Sequence, residues 1–392
     1  MSAMLKVRDD LVVEMRRWRR HLHRFPETEF DVYQTAEFIA SLLRERGLEV
    51  HEGIGQSGLV AVLRKGSNPD RKAIALRADM DAMPIEEQNT FDYRSQHEQK
   101  MHACGHDGHS AMLLGAAFHL AEHGGFDGTV IFIFQPNEEH GLGARAMIDD
   151  GLFQRFPVTE CYGLHNLPGL EAGVLAMRPG AIMASENLFQ IDITGRGGHA
   201  SSPHLCVDPT IVAAQIVLSL QTIASRTANP LESVVVSVTE ILTDGARNVI
   251  PGNVTIKGDC RTFSEANTVL LEKRLAEIAN ATAEMNGATC NVSFSREFIV
   301  SVNSEAETKA AVKAALTVNG QGRVDADCEP RSFSEDFAHM QSVVPGCYAF
   351  LGNGTDSVGG CMLHNPNYDF NDEILATGAN YWIALVEQQL GS

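Results

Sequence analysis

The chain has 392 residues, a formal net charge of −19, 44% apolar residues and 21% charged residues. That length exceeds one ordinary hydrophobic core and implies two domains, and the composition excludes wholesale disorder. The acidity excludes nucleic acid or an anionic membrane as partner, since both need a basic footprint, so an anionic substrate must be met by local positive groups.

Residues 9–24 and 33–46 have amphipathic-helix spacing, the second ending at Gly47. In the first, Leu11, Met15, Trp18 and Leu22 form the buried stripe, which predicts a solvated face for Arg16, Arg17, Arg19 and Arg20 rather than a nucleic-acid contact. No apolar stretch of signal type lies within residues 1–20, and no run of about 18 apolar residues appears anywhere. The eight cysteines (104, 161, 206, 260, 290, 328, 347 and 361) contain no C-x-x-C pair. Reduced thiols and a cytoplasmic protein are expected.

Residues 59–63 and 73–78 read as strands, the second leading into Asp79-Met80-Asp81. Then comes Met101-His102-Ala103-Cys104-Gly105-His106-Asp107-Gly108-His109, dense in thiolate, imidazole and carboxylate. It precedes a helix over 110–123, with Asp107 as expected N-cap and Gly124-Gly125 as stop. Residues 129–134 are a compact β-branched and aromatic run, a buried strand. Strands alternating with helices predict an α/β layer with a mixed, largely parallel sheet, whose functional groups gather beyond the carboxyl ends of the strands. Glu138 and Glu139 directly follow such an end.

From about Ser185 the rhythm changes. Strands over 188–194, 233–242, 254–262 and 287–296, with helices over 209–226 and 266–285, give the order β-α-β-β-α-β of a ferredoxin-like module. The predicted layout is a catalytic domain in two segments, 1–185 and 297–392, with an inserted ferredoxin-like α+β domain at 186–296.

Cys104 and His106 supply two donors where a metal needs three or four. Adjacent Glu138 and Glu139 can divide the labour, one binding metal while the other takes a proton from an activated water. His165 in Gly163-Leu164-His165-Asn166 and His364 in His364-Asn365-Pro366 fit ligand and structural roles alike. The glycine-rich Gly195-Arg196-Gly197-Gly198-His199-Ala200 fits a flexible turn or an anion-binding nest as well as a catalytic element.

In this joint order the motifs resemble those of the M20 metallopeptidase clan, in its subfamily of aminoacylases, hippurate hydrolases and auxin-conjugate (IAA-amino acid) amidohydrolases. Residues 19–27 and 75–82, Phe134-Gln135-Pro136-Asn137-Glu138-Glu139, Asn248-Val249-Ile250-Pro251 and Ser334-Glu335-Asp336-Phe337 also match. The resemblance implies two divalent ions per subunit (zinc, or manganese, cobalt or nickel) on Cys104, His106, Glu139, His165 and His364, with Glu138 as general base. It nominates His199 as an oxyanion donor reaching across a homodimer built through the inserted domain. Asn248 and Arg261 are the implied substrate contacts. Where many clan members carry a His-x-Asp ligand motif, this chain has Arg77-Ala78-Asp79. Arg77 cannot be a ligand, so His106 takes that place, Cys104 stands where relatives use a bridging aspartate, and Asp79 supports catalysis by orienting a ligand. The implied reaction is hydrolysis of the amide bond of N-acyl amino acids (acetyl, benzoyl as in hippurate, or arylacetyl) to a carboxylate and a free amino acid. A dipeptidase or carboxypeptidase of the same clan is the alternative. A catalytically silent metal-binding protein is disfavoured, because Glu138 is retained beside all five ligands.

Overall fold

The computed structural model describes residues 6–391; of the predicted segments, only positions 1–5 and 392 lie outside it. The chain forms two compact units. The first comprises Met1–Ile182, Ser301–Glu329 and Glu335–Ser392, the second Met183–Val300 and Pro330–Ser334.

In the first unit an eight-stranded sheet runs in the order Glu49–Ile54, Gly58–Lys65, Gly128–Gln135, Ala73–Asp79, Glu160–Pro168, Gly346–Gly354, Leu175–Ala176, Val324–Asp325. Its centre, from Gly128–Gln135 to Gly346–Gly354, is parallel. The two strands before it pair antiparallel, and Leu175–Ala176 reverses direction on the other side. Every residue of Gly128–Gln135 is buried, as the apolar run at 129–134 requires of a strand covered on both faces. Asp79, the Glu138-Glu139 pair and His165 all leave the sheet at its carboxyl edge. His165 lies within the strand Glu160–Pro168, not after it, because that strand runs on beside Gly346–Gly354 once its pairing with Ala73–Asp79 has ended.

The helix His106–His123 is buried from His106 to Leu120, so it has no polar face to reveal its start. It begins four residues before the predicted 110. Gly105, at φ 96°, is the N-cap, and a Cβ there would stand 2.3 Å from Asn166 Oδ1. Asp107 is therefore inside the first turn and caps nothing; its carboxylate accepts from His23 Nδ1 at 2.9 Å and lies 3.7 Å from Arg19. Arg19 also departs from expectation. It is fully buried, bonded to Asp369 at 3.0 Å and to Asp372 at 2.7 Å, and not part of a solvated face. It stands one residue after Trp18 and four after Met15, on the inward stripe, and its acids come from roughly 350 positions later. A buried guanidinium persists only when so compensated.

The second unit holds an antiparallel four-stranded sheet in the order Val234–Thr243, Asn253–Thr262, Glu186–Thr194, Thr289–Phe298. Its helices are Pro209–Thr222 and Glu265–Met285, capped by Asp208 and Ser264 side chains. Phe189, Ile191 and Ile193 from alternate strand positions meet Ile216, Leu220, Leu271 and Leu275 in a core separate from that of the first unit. This is the ferredoxin-like order of elements. The unit is wider than 186–296. Ala184 N–H donates to Arg331 O at 3.0 Å and Arg261 donates to Ser334 Oγ at 2.9 Å, so residues 330–334 belong to it and not to the catalytic segment 297–392. A five-residue irregular piece has no periodicity by which sequence could reveal this.

Candidate metal centre and catalytic groups

The turn before helix His106–His123 presents Cys104 and His106. The Gln-Pro-Asn turn after Gly128–Gln135, with Asn137 at φ 50°, presents Glu138 and Glu139. His165 comes from its strand. His364 is held in the left-handed region at φ 63°, its N–H bonded to Ala103 O at 2.8 Å, which places it beside Cys104.

These side chains converge. Cys104 Sγ lies 3.4 Å from His165 Nε2; Glu139 lies 3.8 Å from His106 Nε2 and 3.5 Å from His364 Nε2. Five donor sets occur among the described residues, each with atoms within 4.8 Å of one another; two of them are Cys104–His106–His165 and Cys104–Glu139–His364. Cys104 is common to both, and a shared donor is what two neighbouring ions require.

Backbone carbonyls select the imidazole tautomers. His106 Nδ1–H donates to Asp81 O at 2.8 Å and His165 Nδ1–H donates to Asn166 O at 2.6 Å. Each Nε2 is thereby turned toward the cluster, where it can ligate a metal in its deprotonated form. His106 Nε2 and Glu139 Oε1 are buried without a hydrogen-bond partner among the described residues. Orphaned polar atoms of this kind call for an unseen partner.

The electrostatics agree. Burial, then the charges of Glu139 and Glu138, pushes the Cys104 thiol well above its ordinary range. Burial, Glu335 and Glu139 push Glu138 well above the usual carboxylate range, and burial, with Asp81 and Asp79 adding to it, brings Glu139 up to about 7 against the pull of His106. Burial opposes the charge on His106, yet Asp79 and Asp81 raise it to about 10. The pocket holds more negative charge than its own cations neutralise. A divalent cation relieves that excess and converts the thiol to a thiolate ligand. Donor chemistry, tautomers, orphaned atoms and charge all fit a metal.

Asp79 also joins a close donor set, with His106 and His109, its Oδ2 3.9 Å from His106 Nε2. Its Oδ1 accepts from His109 Nδ1–H at 2.6 Å, and His109 Nε2 meets the Asn166 N–H at 3.0 Å, next to His165. Asp79 thus orients the ligand frame through His109. His102 is buried with neither ring nitrogen partnered, and burial holds it neutral, down at about 4.

His199 and Asn248 lie in the second unit, His199 on a ribbon of two-residue strands, Gly198–His199 against Val249–Ile250, and Asn248 in the turn before the latter. Both are exposed, and Ala200 N–H donates to Asn248 O at 3.0 Å. His199 Nδ1 faces the Ser201 N–H at 3.2 Å and Ser201 Oγ at 2.7 Å. A backbone N–H can only donate, so Nδ1 accepts and Nε2 carries the outward hydrogen. Arg261 is engaged within its unit by Asp259, Glu186 and Ser334, all at 2.9 Å, which leaves it without the free fork that a substrate carboxylate needs.

Sequence reasoning assigned no role to Glu335 or Asp336 and treated Arg77 only as a missing ligand. The three form one buried cluster beneath Glu138. The signal was present in Ser334-Glu335-Asp336-Phe337: two adjacent acids directly before an apolar helix start.

Residues 75–388 match the profile of peptidase family M20/M25/M40. The chain is 38% identical to a hippurate hydrolase of Campylobacter jejuni, covering 97% of this chain and 98% of the relative. It is 37% identical to an N-acetyl-L-cysteine deacetylase of Bacillus subtilis, covering 93% and 85%. Among solved structures it resembles the Bacillus subtilis YXEP protein, described as a dinuclear metal binding peptidase from the M20 family, with TM-score 0.85, 29% identity and coverage of 98% and 99%.

Proposed function

This chain belongs to peptidase family M20/M25/M40, and from that premise we propose that it is a metal-dependent amidohydrolase cleaving N-acyl amino acids to a carboxylate and a free amino acid. The observation that carries the reading is the shared donor set around Cys104 with an unligated carboxylate, Glu138, beside it. Relatives acting on hippurate and N-acetyl-L-cysteine support the substrate class.

Cys104, His106, Glu139, His165 and His364 would hold two divalent ions, which when bound would supply Lewis acidity toward the acyl carbonyl and a water. Glu138 accepts a proton from that water and delivers it to the departing amine. Asp79 and His109 keep His165 aligned. His199 of the partner subunit donates its Nε2–H to the oxyanion, and Asn248 contacts the substrate's carboxylate or carbonyl. Support for a homodimer through the second unit comes from the strand Val234–Thr243, a sheet edge exposing Val235, Ile241 and Leu242. Eight cysteines without a disulfide support a reducing compartment, the cytoplasm. No helix among the described residues is long and apolar enough to cross a membrane.

The test is hydrolysis of hippurate, N-acetyl amino acids and dipeptides by chelated protein and by protein reloaded with zinc, manganese, cobalt or nickel. Activity on the N-acyl substrates, lost on chelation and restored by metal in a protein that stays folded, is the expected result. A preference for dipeptides replaces the reading with a peptidase; unfolding on chelation replaces it with a structural site.

A further inference from the structure

The guanidinium of Arg77 bonds to three acids of a buried set, one of which, Asp79, also meets His109. It donates to Asp79 Oδ2 at 2.6 Å, Glu335 Oε1 at 2.9 Å, Asp336 Oδ1 at 3.1 Å and Gln135 Oε1 at 2.9 Å. Arg77 and these three acids are each no more than 2% exposed. Glu138 is the fourth acid. Its carboxylate shares a 4.8 Å neighbourhood with those of Glu335 and Asp336, yet no hydrogen bond joins it to Arg77 among the described residues.

Four carboxylates crowded in a dry interior repel strongly unless the positive charge among them is well placed. The remaining lone pairs are pinned as well. Asp336 accepts from Ala144 N–H at 2.8 Å and Gln135 Nε2 at 2.7 Å; Glu335 accepts from Phe337 N–H at 2.9 Å and from the Tyr348 hydroxyl. The same three acids, Glu138, Glu335 and Asp336, are arranged closely enough to hold a cation. Arg77 brings that charge from the protein itself, on a planar fork that reaches several acids at once, which a lysine cannot do.

We propose that Arg77 is a positioning residue for Glu138: it holds Glu335 and Asp336 so that the base keeps its place beside them. Through Asp79 and His109 it also ties the surroundings of the base to the frame that carries His165. The inference rests on the reading of Glu138 as general base.

The test uses the metal-loaded full chain carrying Arg77→Met, Arg77→Lys, Asp336→Asn and the Arg77→Met/Asp336→Asn pair. Circular dichroism and metal per chain by elemental analysis are measured beside kcat and KM on an N-acyl amino acid. Arg77→Met is expected to keep its metal and its KM within about threefold while kcat falls about 100-fold or more. Arg77→Lys restores part of that loss. Adding Asp336→Asn to Arg77→Met recovers about tenfold, because removing one repelling charge offsets removing the cation. Metal lost in step with activity, or losses that simply add in the double variant, overturns the proposal in favour of a merely structural role. Should Arg77→Met not fold, Arg77→Lys with and without Asp336→Asn is read by the same criteria. Glu138→Gln run alongside separates the two claims. If it stays active, the base reading fails; if it is inactive and the Arg77 variants are normal, only the present inference fails.

Discussion

The donor cluster and the His199 ribbon are built in opposite ways. Cys104, His106 and Glu138 are buried, their backbones lie at a sheet edge or a helix start, and second partners hold the ligand imidazoles in one tautomer. His199 and Asn248 are exposed, the one on a strand of two residues and the other in the adjoining turn, with only Ser201, a local neighbour, selecting the His199 tautomer. Groups that bind and activate must be held before substrate arrives, since preorganised charge needs no reorganisation during reaction. A donor on an exposed ribbon is instead free to be completed by something else. On the proposed function, the contrast separates residues whose loss is felt inside one chain from residues whose loss is felt only in an assembly.

The largest effect expected is at the buried pole. Glu138→Gln keeps the carboxylate's shape, so metal content is retained while kcat falls by about 10³- to 10⁴-fold, at the upper end of general-base contributions. An active, metal-replete Glu138→Gln protein would remove Glu138 from the mechanism.

At the exposed pole, His199→Ala is expected to lower kcat by about 10²- to 10³-fold, the usual cost of one oxyanion donor, with thermal stability and metal content unchanged. Mixing and reassociating His199→Ala with Glu138→Gln sharpens the comparison. If His199 of the partner subunit completes each site, heterodimers hold one intact site and about a quarter of native activity returns. No recovery in a mixture shown to exchange subunits places the donor within one chain.

The smallest effect concerns stability. Burial opposes the charge on His23, yet hydrogen bonds to Asp107 and Glu87 raise it from 6.5 to about 9. A pKa raised on folding contributes stability that is fully present below about pH 6.5 and is lost as pH rises through about 9. The amount is on the order of 3 kcal/mol. Asp107 is depressed in return, mainly by His23 against the opposing effect of burial, so its contribution is lost only in strong acid. Denaturant melts of native protein and His23→Gln between pH 6 and 10 check this. The alkaline loss should vanish in the variant, and an unchanged slope would assign it to another group.

Several features were legible in the chain alone. The ligand residues stand next to local signals: a Cys-Gly-His turn before a helix, two glutamates after a β-branched run, a histidine at a strand's apolar end. The ferredoxin-like module was legible because alternating strands and amphipathic helices carry their own periodicity, and its inward positions fill one core. Arg19, Asp107 and the Arg77 cluster were not legible. Each is a charge whose meaning depends on a partner far along the chain: Asp369 and Asp372 for Arg19, His23 for Asp107, Glu335 and Asp336 for Arg77. In sequence a charge reads as exposed, because an unpaired one cannot be buried.

Local order thus determined which donors this protein has and roughly where its strands and helices fall, since periodicity, turn residues and ligand chemistry act over a few positions. Tertiary structure alone decided which charges lie inside, where residues 330–334 belong, and that Arg77 sits beneath the base and not beside the ligands. Those outcomes depend on burial balanced by pairing across more than 250 residues of chain, an energy no local pattern records.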